Sequence, residues 1–97
     1  MAKKSGTLTI THHLLLQQFN HRVAIPVEEI AEPYLNIARR TALNRAREHK
    51  LPFPCFKMGD SNKSPYVVHL NDLVNYIDRR VEEERNIWEK FHFRSAA

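Results

Sequence analysis

Residues 39–50 read RRTALNRAREHK, and this short stretch holds the chain's most concentrated chemistry. Arg39, Arg40, Arg45, Arg47 and Lys50 oppose one acid, Glu48, a local excess of +4 that equals the formal net charge of the whole protein. Wound as a helix at about 100° per residue, Arg40, Asn44 and Arg47 share one face while Ala42 and Ala46 point elsewhere. Arg and Asn are the side chains that make paired hydrogen bonds to guanine and adenine edges in a DNA major groove. Thr41 can join them there, and the remaining cations suit phosphates. The ordinary alternative for such a segment taken alone is a solvated basic helix.

A second stretch, KMGDSNKSPY at 57–66, lies between the apolar runs 53–56 and 66–70. Two strands joined by a long polar tip account for it. Lys57 and Lys63, with Ser61, Asn62 and Ser64, are suitable donors to phosphate or to a minor groove. Behind a recognition helix such a hairpin is a wing; taken alone it is an exposed loop, polar as loops are. GDSNKS lacks the second glycine of a nucleotide-cradling loop, and Pro65 and a strand follow where that motif needs a helix.

The remaining reactive residue types point nowhere in particular. Six histidines are present, but His12 and His13 are adjacent and would splay apart on a helix, and the others lack paired metal-ligand spacing. Cys55, the lone cysteine, reads as a small core residue on a strand. The acids at 82–84 read as a solvated helix face. No catalytic constellation is suggested, and neither metal nor cofactor is called for.

The elements that must carry these residues follow from periodicity and punctuation. TITHHLLLQQFN (9–20) fits a helix capped by Thr9 or Thr11, with Leu14, Leu15 and Phe19 grouped on one side. RVAI (22–25) is a short strand candidate. Pro26, Glu28 and Glu29 suit the start of a helix over 27–34, although Pro33 sits awkwardly inside it. Asn36 is the expected left-handed turn residue. A second helix is expected over 38–49, ended by Leu51-Pro52. Two short helices joined by so short a turn form a helix-turn-helix candidate. Strands are expected at 54–58 and 66–70, and a long last helix from an Asn71 N-cap, with Leu73, Val74, Ile77 and Val81 at helical spacing. Residues 71–92 would span about 33 Å as a helix, more than so small a core needs. The terminal IWEKFHF stretch either folds back on the domain or offers an apolar surface to a second copy, and the helix length favours projection, with Ile87, Trp88 and Phe91 as the self-association surface.

Size and charge agree with this plan. Ninety-seven residues, 42% of them hydrophobic, make one modest core. No apolar run exceeds three residues, as at Leu14–Leu16, so neither a membrane span nor a signal peptide is expected. A pI near 9.5 favours an anionic partner, and a single cysteine suits a reducing, cytoplasmic compartment.

Residue order also carries a resemblance. AIPVEEIA, ARRTALNRA and LPFPCFKMGDSNKSPYVVHLNDLVNYIDRR (51–80) together resemble the pyocin activator PrtN family, over about residues 10 to 85. Ala38 departs from it, since a serine-like cap would be expected before the second helix. The resemblance implies a DNA-binding transcription activator of phage-tail-like bacteriocin genes, acting at short repeated promoter elements and induced in the DNA-damage response. The order is also similar to small phage excisionases and to the DNA-binding part of MerR-type regulators, but no chain remains here for an effector domain.

The expected protein is α+β: a small winged helix-turn-helix with an N-terminal helix, a two-stranded wing and a long C-terminal helix. A disordered leader is expected over 1–8, a single DNA-binding domain with its C-terminal helix over 9–92, and a tail over 93–97. Expected partners are double-stranded promoter DNA, RNA polymerase and a second copy of the chain, as a homodimer or a cooperative oligomer on DNA. The site residues are Arg39, Arg40, Thr41, Asn44, Arg45, Arg47 and Lys50 on the recognition helix and Lys57, Ser61, Asn62, Lys63 and Ser64 on the wing. Two alternatives share much of this pattern: an excisionase-like factor that bends DNA, and a protein-interaction adaptor that uses the last helix.

Overall fold

A computed structural model of the chain describes residues 9–96, and side chains up to residue 93. The expected leader over 1–8 lies outside the described residues. The order is α1 (Ile10–Gln18), β1 (Ala24–Pro26), α2 (Val27–Ile30), a π-helical turn (Ala31–Leu35), α3 (Arg39–Arg47), β2 (Phe56–Lys57), β3 (Tyr66–His69) and α4 (Leu70–Ala96). The fold is α+β, with four helices around a small antiparallel sheet ordered β1-β3-β2. β3 is thus the central strand. The expected hairpin forms with Phe56 opposite Val67 and Lys57 opposite Tyr66. On its other side β3 takes β1 as a third strand, with Ile25 opposite Val68.

Two apolar clusters share this sheet. The first joins Leu15 and Phe19 of α1 to Ile25, Val68 and the α4 residues Leu70, Leu73 and Val74. The second is smaller and joins Val27 and Ala31 to Ala42 and Ala46 of α3. Leu51 and Cys55 pack against both. No charged side chain is buried among the described residues, as expected where nothing pays the cost of desolvating an unpaired charge.

Local structure departs from expectation in several places. Thr9 does cap α1, its hydroxyl accepting from the His12 N–H at 3.1 Å. Leu14, however, is 58% exposed. It lies about 100° from Leu15, on the side away from Phe19 and Leu16, and Leu16 packs in its place. The helix expected over 27–34 is α-helical only to Ile30 and then widens into the π-helical turn that contains Pro33. A proline has no N–H for the regular ladder, and a wider turn accommodates that loss. Asn36 ends the turn in the left-handed conformation (φ 56°, ψ 41°), and the N–H groups of Asn36 and Ile37 both donate to the Ala31 carbonyl.

Helix α4 starts one residue earlier than expected, and its cap is not Asn71. The His69 ring Nδ1 accepts the Asn71 N–H at 3.0 Å, which requires the tautomer with its proton on Nε2. The last strand residue therefore opens the helix. Leu73, Val74 and Ile77 pack inward as expected, but Val81 is 40% exposed. The domain body ends near Asp78, whose carboxylate accepts the Thr11 hydroxyl at 2.7 Å. Beyond it the helix projects, and residues 93–96, expected as a tail, continue its turns. The molecule is consequently long, 59 × 32 × 25 Å.

An arginine pins the turn after α1. Asn20 and His21 both adopt left-handed φ. Arg22 donates from Nε to the Phe19 carbonyl at 3.0 Å and from its two terminal nitrogens to Glu29 at 3.1 and 2.6 Å. These hydrogen bonds hold the Glu29 carboxyl below its usual range. Replacing His69 by Ala should remove one helix cap and lower unfolding stability by about 1 kcal/mol, measured by urea titration; unchanged stability would mean that solvent caps the helix equally well.

Candidate nucleic-acid interface

Helix α3 is seated by its two alanines. Ala42 and Ala46 are 0% and 1% exposed, against Val27 and Ala31. Their side chains are the shortest available, so α3 can lie close to α2. No side chain caps its N-terminus, where Ala38 stands extended. Its C-terminus is closed by the backbone: His49 is left-handed (φ 59°) and the Lys50 N–H donates to the Arg45 carbonyl at 2.8 Å. This is the 6→1 bond of a Schellman stop, made here without glycine.

With the alanine side buried, the opposite face is set. Arg40, Asn44 and Arg47 lie roughly 180° from the Ala42/Ala46 direction, and all three are exposed. Arg47 Nη1 donates to Asn44 Oδ1 at 2.9 Å, so two of the three are already in contact. Arg39 and Arg45 are exposed on opposite flanks, and Thr41 is half-buried. Among the described residues no carboxylate is ion-paired to Arg39, Arg40, Arg45 or Arg47. Lys50 differs: its ammonium lies 3.5 Å from Glu48, which sits at the edge of the same outward face.

The wing tip is more ordered by its own contacts than its polar sequence suggests. The Ser61 carbonyl accepts the Ser64 N–H at 3.0 Å, and the Ser61 hydroxyl accepts the Lys63 N–H at 3.1 Å. Ser64 folds back over Gly59, where an added Cβ would lie 2.8 Å from its hydroxyl oxygen. A side chain at 59 would therefore require the Ser64 hydroxyl to rotate away, the next nearest atom being 3.9 Å off. Asn62 and Lys63 are left at the exposed tip, while Ser64 is half-buried. At the wing's base the Lys57 ammonium lies 5.4 Å above the Tyr66 ring, a cation–π distance. Tyr66 packs against the Ala42/Ala46 cluster.

Tyr66 is the residue that sequence reasoning missed. It links the wing's base to the helix seat, and its only signal in sequence was an aromatic at the start of the return strand. Phe56 and Met58 were missed as well; both are exposed on the wing, 43% and 65%. The structure therefore brings Asn44 and Arg47 together, and joins Lys57 to the α3 seat through Tyr66. Among the described residues no hydrogen bond or ion pair joins the wing tip to α3. Ile87, Trp88 and Phe91 lie far along α4, apart from both.

Among the described residues no three His, Cys, Asp or Glu side chains gather as a metal site, and no helix is long and apolar enough to cross a membrane. Cys55 stands just outside β2, half-buried, and burial together with the Asp72 charge pushes its thiol up to about 11. A thiol that holds its proton so tightly is a poor nucleophile.

A family model described as pyocin activator protein PrtN matches residues 11–83, most of the chain, from the second residue of α1 into the first half of α4. No curated protein and no solved structure is matched.

The raised thiol pKa yields a test. At pH 8 the folded protein should react with iodoacetamide about a hundredfold more slowly than the urea-unfolded chain. Equal rates would place Cys55 in water. The same shift stabilises the fold while the thiol is neutral, so this contribution is lost as pH rises from about 9 through about 11.

Proposed function

The chain belongs to the pyocin activator protein PrtN family, and from that premise we propose that it is a transcription activator of pyocin genes that binds double-stranded promoter DNA. The observation that carries this proposal is the outward face of α3. Arg40, Asn44 and Arg47 stand opposite the buried alanines, exposed and unpaired with acids. Charged side chains that a protein does not use internally are available to an anionic ligand, and Arg and Asn are the base-reading types.

In this proposal α3 lies in the major groove with Arg40, Asn44 and Arg47 at base edges. Arg39, Arg45 and Lys50 take phosphates on its flanks, and Thr41 touches the groove wall. Asn44 accepts from Arg47, so each orients the other before DNA arrives. The wing reaches the neighbouring backbone or minor groove through Lys57, Asn62 and Lys63, with Ser61 and Ser64 shaping its tip. Residues 9–92 act as one regulatory domain without catalytic chemistry, working in the cytoplasm on the nucleoid. RNA polymerase is the second partner, since activation requires helping it bind or open the promoter.

Arg40→Ala or Asn44→Ala should cost roughly 1–3 kcal/mol at the cognate site and blur preference at one base, read by titrating a panel of single-base variants. The Asn44 variant should also lose part of Arg47's contribution, because the Oδ1 partner is gone. Equal losses on unrelated DNA would make these residues phosphate contacts. Lys63→Ala should reduce the salt slope of binding by about one while sparing sequence preference; an unchanged slope would take the wing tip out of the interface.

A further inference from the structure

The apolar stripe that seats α4 in its own domain does not stop where the domain stops. At about 100° per residue, Ile77, Val81, Glu84, Trp88 and Phe91 fall within a sector roughly 80° wide, which also holds Leu70 and Leu73. The first part of this stripe is covered: Leu70, Leu73 and Val74 are buried against α1 and the sheet. The second part is open, with Val81 40%, Trp88 57% and Phe91 65% exposed. Steps of four, three, four and three residues average the 3.5-residue repeat of a two-helix seam. Intrahelical ion pairs from Arg80 to Glu83 at 2.8 Å and to Glu84 at 3.2 Å lie along the same segment.

We propose that a second copy of this chain covers the open stripe, its α4 packed antiparallel against this one over residues 81–91. The occupant is chosen by sterics and charge. The domain body already occupies the stripe side of α4 up to Asp78, so a parallel partner would bring its own body to the same place on the same side. An antiparallel partner ends there instead. It also settles Glu84, which is the polar member of the stripe. In a parallel pair Glu84 faces Glu84, two carboxylates at the centre of an apolar seam, each with Arg80 of its own helix, at 3.2 Å, as its cation. In the antiparallel pair Val81 meets the second copy's Phe91 and Glu84 meets its Trp88, which brings the carboxylate alongside the second copy's Arg85. The two Ile87 side chains then flank the two-fold axis. The second copy's helix end arrives beside α1, where Ile10 is 74% exposed between two threonines that bond Asp78.

This proposal goes beyond DNA binding, and its test contains no DNA, so either can fail without the other. Sedimentation of the full chain over a range of concentrations should give a dimer, and Trp88→Ala should raise its dissociation constant by at least about tenfold. Trp88 stacks only on His92 of its own helix, ring centroids 3.8 Å apart, among the described aromatic contacts, so the helical circular dichroism should be retained. A wild-type monomer throughout, or a Trp88→Ala dimer as tight as wild type, overturns the proposal. Orientation is read by disulfide trapping in a Cys55→Ser background. Val81→Cys and Phe91→Cys chains should cross-link when mixed under mild oxidation, and Val81→Cys alone should not, because antiparallel packing holds its two copies about 15 Å apart along the axis. Cross-linking of Val81→Cys alone, or none in the mixture, overturns the antiparallel arrangement.

Discussion

The contact of Ala42 and Ala46 with Val27 and Ala31 is the constraint from which the rest of the molecule takes its orientation. These alanines are the buried residues of α3, and most of the helix around them is charged or amide. Burying an unpaired charge costs far more than such a short helix could recover, so α3 has one workable rotation about its axis. That rotation turns Arg40, Asn44 and Arg47 outward. The same small cluster takes Tyr66 from the central strand, and Tyr66 carries Lys57 above its ring. The basic helix and the base of the wing are thus referred to a single packing unit, as a two-part grip on a duplex requires.

Around that unit the chain builds a frame from central strand β3. Its register with β1 and β2 fixes the sheet, and its last residue, His69, caps the helix that follows. The first half of α4 completes the larger core with α1, while the Arg22–Glu29 pair ties the α1 turn to α2. That pair is exposed, and solvent screening limits its worth. Packing, not surface charge, holds the frame. The second half of α4 adds nothing to this core. Its apolar stripe keeps the phase of the first half and so presents the same chemistry to an outside surface that the domain used inside.

Much of the fold was legible because it rests on local signals. Asn36 marked the helix-turn-helix turn, since few other side chains accept left-handed backbone. The helical spacing of Leu73, Val74 and Ile77 gave the buried face of α4, and the polar tip at 58–65 gave the hairpin. The family assignment was legible too, from the residue order over 51–80. What stayed hidden depends on tertiary partners. Periodicity alone grouped Leu14 with Leu15, but the place of α4 decides which side of α1 is covered. Pro33 signalled trouble in a helix without revealing that a wider turn would resolve it. His69 as a cap could not be separated from a strand-end histidine. Tyr66 as the link between wing and helix seat needed the fold, because its partners lie in α2 and α3.

The central claim is that the outward face of α3 reads DNA sequence. Selection of bound duplexes from a random-sequence pool, followed by sequencing of the retained fraction, tests it most directly. The account predicts enrichment of a short shared motif, bound more weakly as salt is raised. Retention of no DNA, or of duplexes with no common sequence, would contradict it.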